Sequence, residues 1–309
     1  MKVLVAGSTG LAGSAVVRKF SDIGAEVVGV NSSIVDLTQR KPTFEFLNDI
    51  RPDVVIDAAA KVGGIGANNS FPVDFLSVNL QIQTNLMDAS HQSGVDRFIF
   101  LGSSCIYPRD SLQPIKEDYL LTGPLEKTNS AYAVAKIAGI ELINSYRKQF
   151  DRRWISVMPT NLYGPGDNFD LSTSHVLPAL VNRFVTARET GAESVTLWGS
   201  GKPRREFLHV EDLATALVVL LEKYDEGQHI NVGTGVDLPI AELALLVSQL
   251  AGFDGEIIWD SSKPDGTPRK VLDVSRISHL GWKPQITLEQ GIQGVIRDFA
   301  ANGVKGKDS

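Results

Sequence analysis

Apolar residues along this chain fall into short continuous runs separated by longer amphipathic stretches. Lys2-Val3-Leu4-Val5-Ala6 reads as a buried strand, and Val16, Val17 and Phe20 then recur at helical spacing. Glu26-Val27-Val28-Gly29-Val30, residues 53–60, Arg97-Phe98-Ile99-Phe100-Leu101 and residues 154–159 repeat the strand pattern. Between them, residues 79–91 and 132–142 read as helices. Runs without polar alternation suit strands covered on both faces. Strands alternating with helices predict an α/β fold around a doubly wound parallel sheet. Residues 160–168 are rich in turn formers and break the alternation, so a domain boundary is placed there. Beyond it, His175-Val176-Leu177-Pro178 opens a helix, Glu211-Asp212 opens another, and residues 229–233 return a strand to the first sheet. The expected division is a first domain of 1–165 with 211–234. A smaller, mixed second domain takes 166–210 with 235–309, and its tail, 302–309, reads as frayed.

Composition narrows the partners. The chain has 309 residues, 43% of them hydrophobic, enough for one large domain or two unequal ones. A net charge of −6 and the lack of a long basic run argue against nucleic acid. The first apolar run is too short to span a bilayer and lacks a signal-peptide cleavage pattern, so no membrane partner is expected. Cys105 is the single cysteine, which excludes an intrachain disulfide and fits a cytoplasmic location. No metal site is assigned.

Gly7-Ser8-Thr9-Gly10-Leu11-Ala12-Gly13 sits between the first strand and the first helix, where a dinucleotide fingerprint belongs. Its glycines let backbone N–H groups approach a pyrophosphate at the helix N-terminus. Taken alone, the run also fits an ordinary strand-to-helix turn. An acidic residue closing the second strand would hold a ribose 2′-hydroxyl, but Asn31-Ser32-Ser33 stand there. That absence favours NADP(H), although no Arg or Lys stands there either to meet a 2′-phosphate. Asp36 and Leu37 are placed at the adenine.

Gly102-Ser103-Ser104-Cys105 brings two hydroxyls and the thiol to another strand end, where α/β folds bind ligands. Without the neighbouring serines, Cys105 would read first as a small buried filler, the usual fate of a free cysteine. Tyr132 and Lys136 are four residues apart in an Ala- and Val-rich helical run, so they share a face. The ammonium is expected to lower the phenol pKa from about 10. Such a Tyr can protonate a carbonyl oxygen as hydride reaches the carbon. Arg183, Lys202, Arg204, Arg205, Arg269 and Lys270 gather in the second half, with Trp198 and Trp282 among them. Singly they fit solvated surface; together they fit a nucleotide diphosphate, with the indoles stacking on a base or sugar.

The glycine run, the serines after the strand and Tyr132-x-x-x-Lys136 resemble the extended short-chain dehydrogenase/reductase family, in its sugar-nucleotide epimerase/dehydratase branch. The runs 59–65, 101–108, 132–139, 158–165 and 205–210 sharpen the likeness over nearly the whole chain. They resemble a branch that inverts C3 and C5 of GDP-4-dehydro-6-deoxy-D-mannose and then reduces C4 with NADPH. The resemblance implies Tyr132 as general acid, Lys136 as its tuner and ribose ligand, and Ser103 bonded to the same C4 oxygen. It implies Cys105 and His175 as the epimerisation acid/base pair. It adds Leu101, Gly102, Ser104, Pro159, Thr160, Asn161, Leu162 and His175 to the cofactor contacts. Arg183, Trp198, Arg205, Asp265 and Lys270 match GDP-sugar positions. A homodimer through the helices near 79–90 and 132–146 is implied as well. Ser8-Thr9 departs from the pattern, lacking the basic residue some relatives carry in the glycine loop. Rival readings are a 4-epimerase or 4,6-dehydratase, and a non-catalytic cofactor sensor. A dehydratase would place acidic residues where Cys105-Ile106 stand, and a sensor needs no proton donor.

Overall fold

The computed structural model describes residues 1–263 and 265–303. Its first half alternates as expected: β1 (Lys2–Ala6), α1 (Leu11–Asp22), β2 (Glu26–Val30), α2 (Arg40–Ile50), β3 (Val54–Asp57), α3 (Ile65–Ser70), α4 (Pro72–Gln92), β4 (Arg97–Leu101), α5 (Ser130–Phe150) and β5 (Ile155–Pro159). The chain then runs through β6 (Asn161–Tyr163), α6 (Val176–Thr190), β7 (Ser194–Trp198), β8 (Arg204–His209), α7 (Val210–Lys223) and β9 (Ile230–Val232). β10 (Asp237–Pro239), α8 (Ile240–Ala251), β11 (Glu256–Asp260), β12 (Arg269–Lys270), α9 (Ser275–His279) and α10 (Leu288–Asn302) complete it.

Six strands form one parallel sheet in the order β2-β1-β3-β4-β5-β9, the doubly wound arrangement the alternation predicts. Side chains alternate across β1, so Val3 and Val5 join α1 and α7 on one face, while Leu4 and Ala6 join α2, α4 and α5 on the other. Small residues set how closely α5 lies on the sheet. A Cβ at Gly139 would overlap the Phe100 ring, so only glycine allows this approach. Gln83 Nε2 donates to Ala135 O at 2.7 Å and ties α4 to α5.

The residues between β5 and β9, and those after β9, build two smaller sheets. β8 lies between β10 and β12 and also pairs with β6, while β7 pairs with β11. α6, α8 and α10 surround a third core containing Phe184, Phe207, Val247 and Phe299.

Several readings need correction. α2 is a helix that the pattern did not mark, and α4 begins at Pro72, ahead of residue 79. Proline suits a first helical turn, where its missing N–H would be unpaired anyway. Trp282 is 5% exposed and donates through Nε1 to Thr215 Oγ1 at 2.9 Å, so it anchors the core and has no face for a base or sugar. Arg204 and Arg269 both pair with Asp237, at 3.2 and 2.6 Å, which removes them from the candidate diphosphate ligands. The fraying expected of 302–309 falls on residues outside the described ones, except that Asn302 closes α10 and Gly303 caps it. Among the described residues, no helix is long and apolar enough to cross a membrane.

Candidate active site

The glycine run forms a tight cradle. Gly7 has φ +75°, a conformation glycine adopts without steric cost. Its N–H donates to Val30 O at 2.8 Å, and a Cβ there would lie 2.7 Å from Ala58 O. A Cβ at Gly13 would overlap the Gly7 carbonyl. Gly10 is the N-cap of α1 and has no side chain to cap it, so the first-turn amides of Leu11, Ala12 and Gly13 stay open to an anion. These features fit a dinucleotide pyrophosphate. Ser8 lies under Gly29 near the end of β2, and Asn31, Ser32 and Ser33 follow that strand. Asn31 Oδ1 accepts from Ser33 N at 3.0 Å in a local turn. Asp36 is engaged similarly with Thr38, which lowers its pKa, and Leu37 is buried beside it.

The ends of β4 and β5 carry the next group. Leu101 and Gly102 lead to Ser103, whose Oγ accepts from Cys105 N at 3.2 Å and caps the short turn Ser104–Ile106. At the end of β5, beyond Pro159, Thr160 N–H donates to Val232 O at 3.0 Å and Asn161 Nδ2 to Glu206 O at 2.8 Å. Leu162 follows in β6.

Tyr132 and Lys136 share the inner face of α5, but their electrostatics differ from the expectation. Lys136 Nζ donates to Leu101 O at 2.9 Å and lies 4.7 Å from the Phe100 ring centroid. Burial lowers its pKa to about 8, against the opposing pull of buried Asp57. Burial raises the Tyr132 pKa above its ordinary value, nearby Cys105 adds to the rise, and a hydrogen bond with Ser103 offsets part of it. The lowering expected from Lys136 is overturned: desolvation of the phenolate dominates, and the Lys136 ammonium is engaged by Leu101 O instead. Tyr132 is therefore held protonated, as a proton donor must be. Its ring meets Phe75 edge-on, with centroids 6.3 Å apart.

Cys105 stands at a junction of elements distant in sequence. Asn129 Nδ2 approaches its Sγ at 3.3 Å and Lys270 Nζ at 3.6 Å. Lys270 is in register with Arg205 across β12 and β8. Arg205 Nη1 donates to Thr267 O at 2.6 Å, and Thr267 Oγ1 lies 3.5 Å from Glu126 Oε2. Burial lowers the Arg205 pKa, while Cys105, Asp265 and Glu126 oppose that shift. Ser103, Cys105, Tyr132, Lys136, Arg205 and Lys270 thus form one connected region.

The other expected residues lie around it. Asp265 accepts from Ser200 N at 2.8 Å and Ser200 Oγ at 2.6 Å, fixing the turn after β7. Trp198, 70% exposed, ends β7. The Arg183 side chain, on α6, makes no hydrogen bond or ion pair with the described residues. His175 is the N-cap of α6 without capping it. The residue is exposed, yet desolvation by the surrounding protein lowers the pKa of its ring. Gly64 N–H donates to Thr173 O at 2.9 Å, holding the segment before His175 against the loop after β3.

Two residues of this region escaped the sequence reading. Asp57 is 1% exposed, leaves Oδ2 without a partner, and has its pKa raised to about 6 by burial despite Lys136. A carboxylate ending the apolar run Val54-Val55-Ile56 was the available signal, since buried acids are rare unless paired. Asn129 carried no signal, because an asparagine before a helix is ordinary.

Known proteins identify the lineage of this site. The profile of the NAD dependent epimerase/dehydratase family matches residues 3–233. The chain belongs to that family. Within the epimerase/dehydratase family it is 52% identical to "Putative GDP-L-fucose synthase 2" of Arabidopsis thaliana, over 99% of this chain and 94% of that protein. It is 48% identical to "GDP-L-fucose synthase" of Escherichia coli K12, over 97% of both. A crystal structure titled as a GDP-L-fucose synthetase from Naegleria fowleri bound to NADP superposes with a TM-score of 0.89 at 29% identity, covering 97% of this chain and 94% of that one.

Proposed function

We propose that this chain converts GDP-4-dehydro-6-deoxy-D-mannose to GDP-L-fucose, inverting C3 and C5 and then reducing C4 with NADPH. One observation carries the reading: Tyr132 is hydrogen-bonded to Ser103 and close enough to Cys105 to feel its charge, so a phenol, a hydroxyl and a thiol meet at the turn after β4. That neighbourhood supports reduction chemistry and carbon-acid chemistry at one ketone. The relatives named for this activity support the same substrate. The C4 ketone acidifies the hydrogens on C3 and C5, because the enolate spreads its charge onto the C4 oxygen. Ser103 and Tyr132 donate to that oxygen as it gains charge. Cys105 and His175 serve as the acid/base pair that removes each proton from one face and returns one on the other. NADPH, when bound, supplies the hydride to C4. Tyr132 then gives its proton to the C4 oxygen, and Lys136 holds the ribose beside it.

In this reading the unit 1–165 with 211–234 holds the cofactor, and 166–210 with 235–309 holds the sugar nucleotide. The cofactor contacts are Gly7 to Gly13, Asn31 to Ser33, Asp36, Leu37, Leu101 to Ser104, Lys136, Pro159 to Leu162 and His175. The lack of a carboxylate at Asn31-Ser32-Ser33 and the NADP-bound Naegleria protein support NADP(H). Exposed Val73 on α4 and Val134 on α5 support pairing of two copies. A lone cysteine supports a cytoplasmic location. The deciding assay incubates the purified protein with GDP-4-dehydro-6-deoxy-D-mannose and NADPH and identifies the product by NMR. GDP-L-fucose is expected. A product reduced at C4 but not inverted at C3 and C5 would replace this reading with a simple 4-keto reductase.

Arg183, Trp198, Arg205, Asp265 and Lys270 are assigned to the GDP-sugar. Arginine meets phosphate oxygens with charge-assisted, often paired hydrogen bonds. Arg205→Ala is expected to raise KM for the GDP-sugar about 10- to 100-fold, the scale of losing one such bond. The KM for NADPH should stay near wild type; equal rises in both constants would remove Arg205 from the substrate site.

A further inference from the structure

Asn129 occupies the N-cap of α5 but does not cap it. An asparagine there ordinarily accepts a hydrogen bond from the first helical amides and stabilises the helix. Here Nδ2 lies 3.3 Å from Cys105 Sγ, and Oδ1 is buried without a partner. Both the missing cap and the orphaned oxygen cost stability. Local rules are broken in this way chiefly where a site demands it.

The surroundings fix this orientation. Asn129 N–H donates to Glu126 O at 3.3 Å, and Glu126 Oε1 accepts from Thr128 N at 3.3 Å, so the short turn Lys127–Asn129 is held from both its backbone and a side chain. Lys270 Nζ reaches the same sulfur at 3.6 Å from β12. The Cys105 backbone is fixed through Ser103 Oγ. Two N–H donors from separate elements therefore engage one sulfur. Rotation about the Cys105 side chain would break both contacts.

We propose that Asn129 is a positioning residue for epimerisation: it orients Cys105 Sγ instead of capping α5. This rests on the epimerase reading above, in which Cys105 exchanges protons with C3 and C5. A misplacement of about 1 Å at a reacting atom can cost about 100-fold in rate.

The test is Asn129→Ser. Serine caps helices as well as asparagine does, but it is too short to reach the sulfur. Three properties are measured: the melting temperature, deuterium exchange from D₂O into the 4-keto sugar with NADP⁺, and reverse oxidation of GDP-L-fucose by NADP⁺. The last needs no epimerisation. The expected result is an unchanged or higher melting temperature, near wild-type reverse oxidation, and exchange slowed about 10- to 100-fold. Exchange at the wild-type rate overturns the proposal. Equal losses in exchange and oxidation also overturn it, because they indicate general damage to the site. Asn129→Gly, which also suits an N-cap, is read by the same criteria should the serine variant fold poorly. Wild-type protein and Cys105→Ser run alongside: if the wild type does not exchange, the epimerase reading itself fails.

Discussion

Replacing Tyr132 by phenylalanine is expected to lower turnover by about 10²- to 10⁴-fold, the usual contribution of a positioned general acid. The phenol is the group placed to protonate the C4 oxygen. Burial first, and then Cys105, raise its pKa, so the proton is present at neutral pH. Phenylalanine keeps the ring and its edge contact with Phe75, so packing changes little. Lys136 remains hydrogen-bonded to Leu101 O, and the glycine cradle lies on another strand end. NADPH affinity should therefore survive while the chemical step fails. Both NADPH oxidation with the keto sugar and reverse oxidation of GDP-L-fucose should slow, because both move a proton through this phenol. A kcat near wild type would remove Tyr132 from the reaction.

The sequence revealed this site unevenly, for physical reasons. Strands and glycine turns are local features, so β1, Gly7 to Gly13 and the end of β4 were legible as they stand. The spacing of Tyr132 and Lys136 was legible too, because a helix fixes which residues share a face. Their protonation was not, since it depends on desolvation by segments far away in sequence. The roles of Arg204 and Arg269 failed for the same reason: Asp237, their common partner, belongs to another strand. Trp282 was grouped with the basic residues as a stacking indole, but its hydrogen bond to Thr215 comes from packing against α7. Asn129 is the extreme case. Its type and position predict a helix cap, and only the three-dimensional approach of Cys105 shows another use.

Cys105→Ser and His175→Asn are expected to suppress solvent exchange at C3 and C5, each by about 10²-fold or more. Inverting a carbon requires a base on one face of the sugar and an acid on the other. Free thiols and imidazoles titrate near about 8.5 and about 6.5, so near neutral pH such a pair can divide these roles. Desolvation lowers the His175 pKa, which favours its neutral form. The two groups also come from opposite sides of the chain's organisation. Cys105 follows a strand of the six-stranded sheet, whereas His175 opens α6 in the region between β6 and β7. The Gly64–Thr173 hydrogen bond joins the loop after β3 to the segment carrying His175. Serine keeps the size and place of the cysteine but is a far weaker acid, and asparagine keeps polarity without titrating. Both variants should still oxidise GDP-L-fucose in reverse, because Ser103, Tyr132 and Lys136 are untouched, and Cys105→Ser should also leave NADPH affinity unchanged, since Cys105 is not among the cofactor contacts. The measurement is deuterium incorporation into the 4-keto sugar from D₂O in the presence of NADP⁺, which cannot reduce it. If both variants exchange at the wild-type rate, Cys105 and His175 do not move these protons, and the epimerase half of the activity loses its residues.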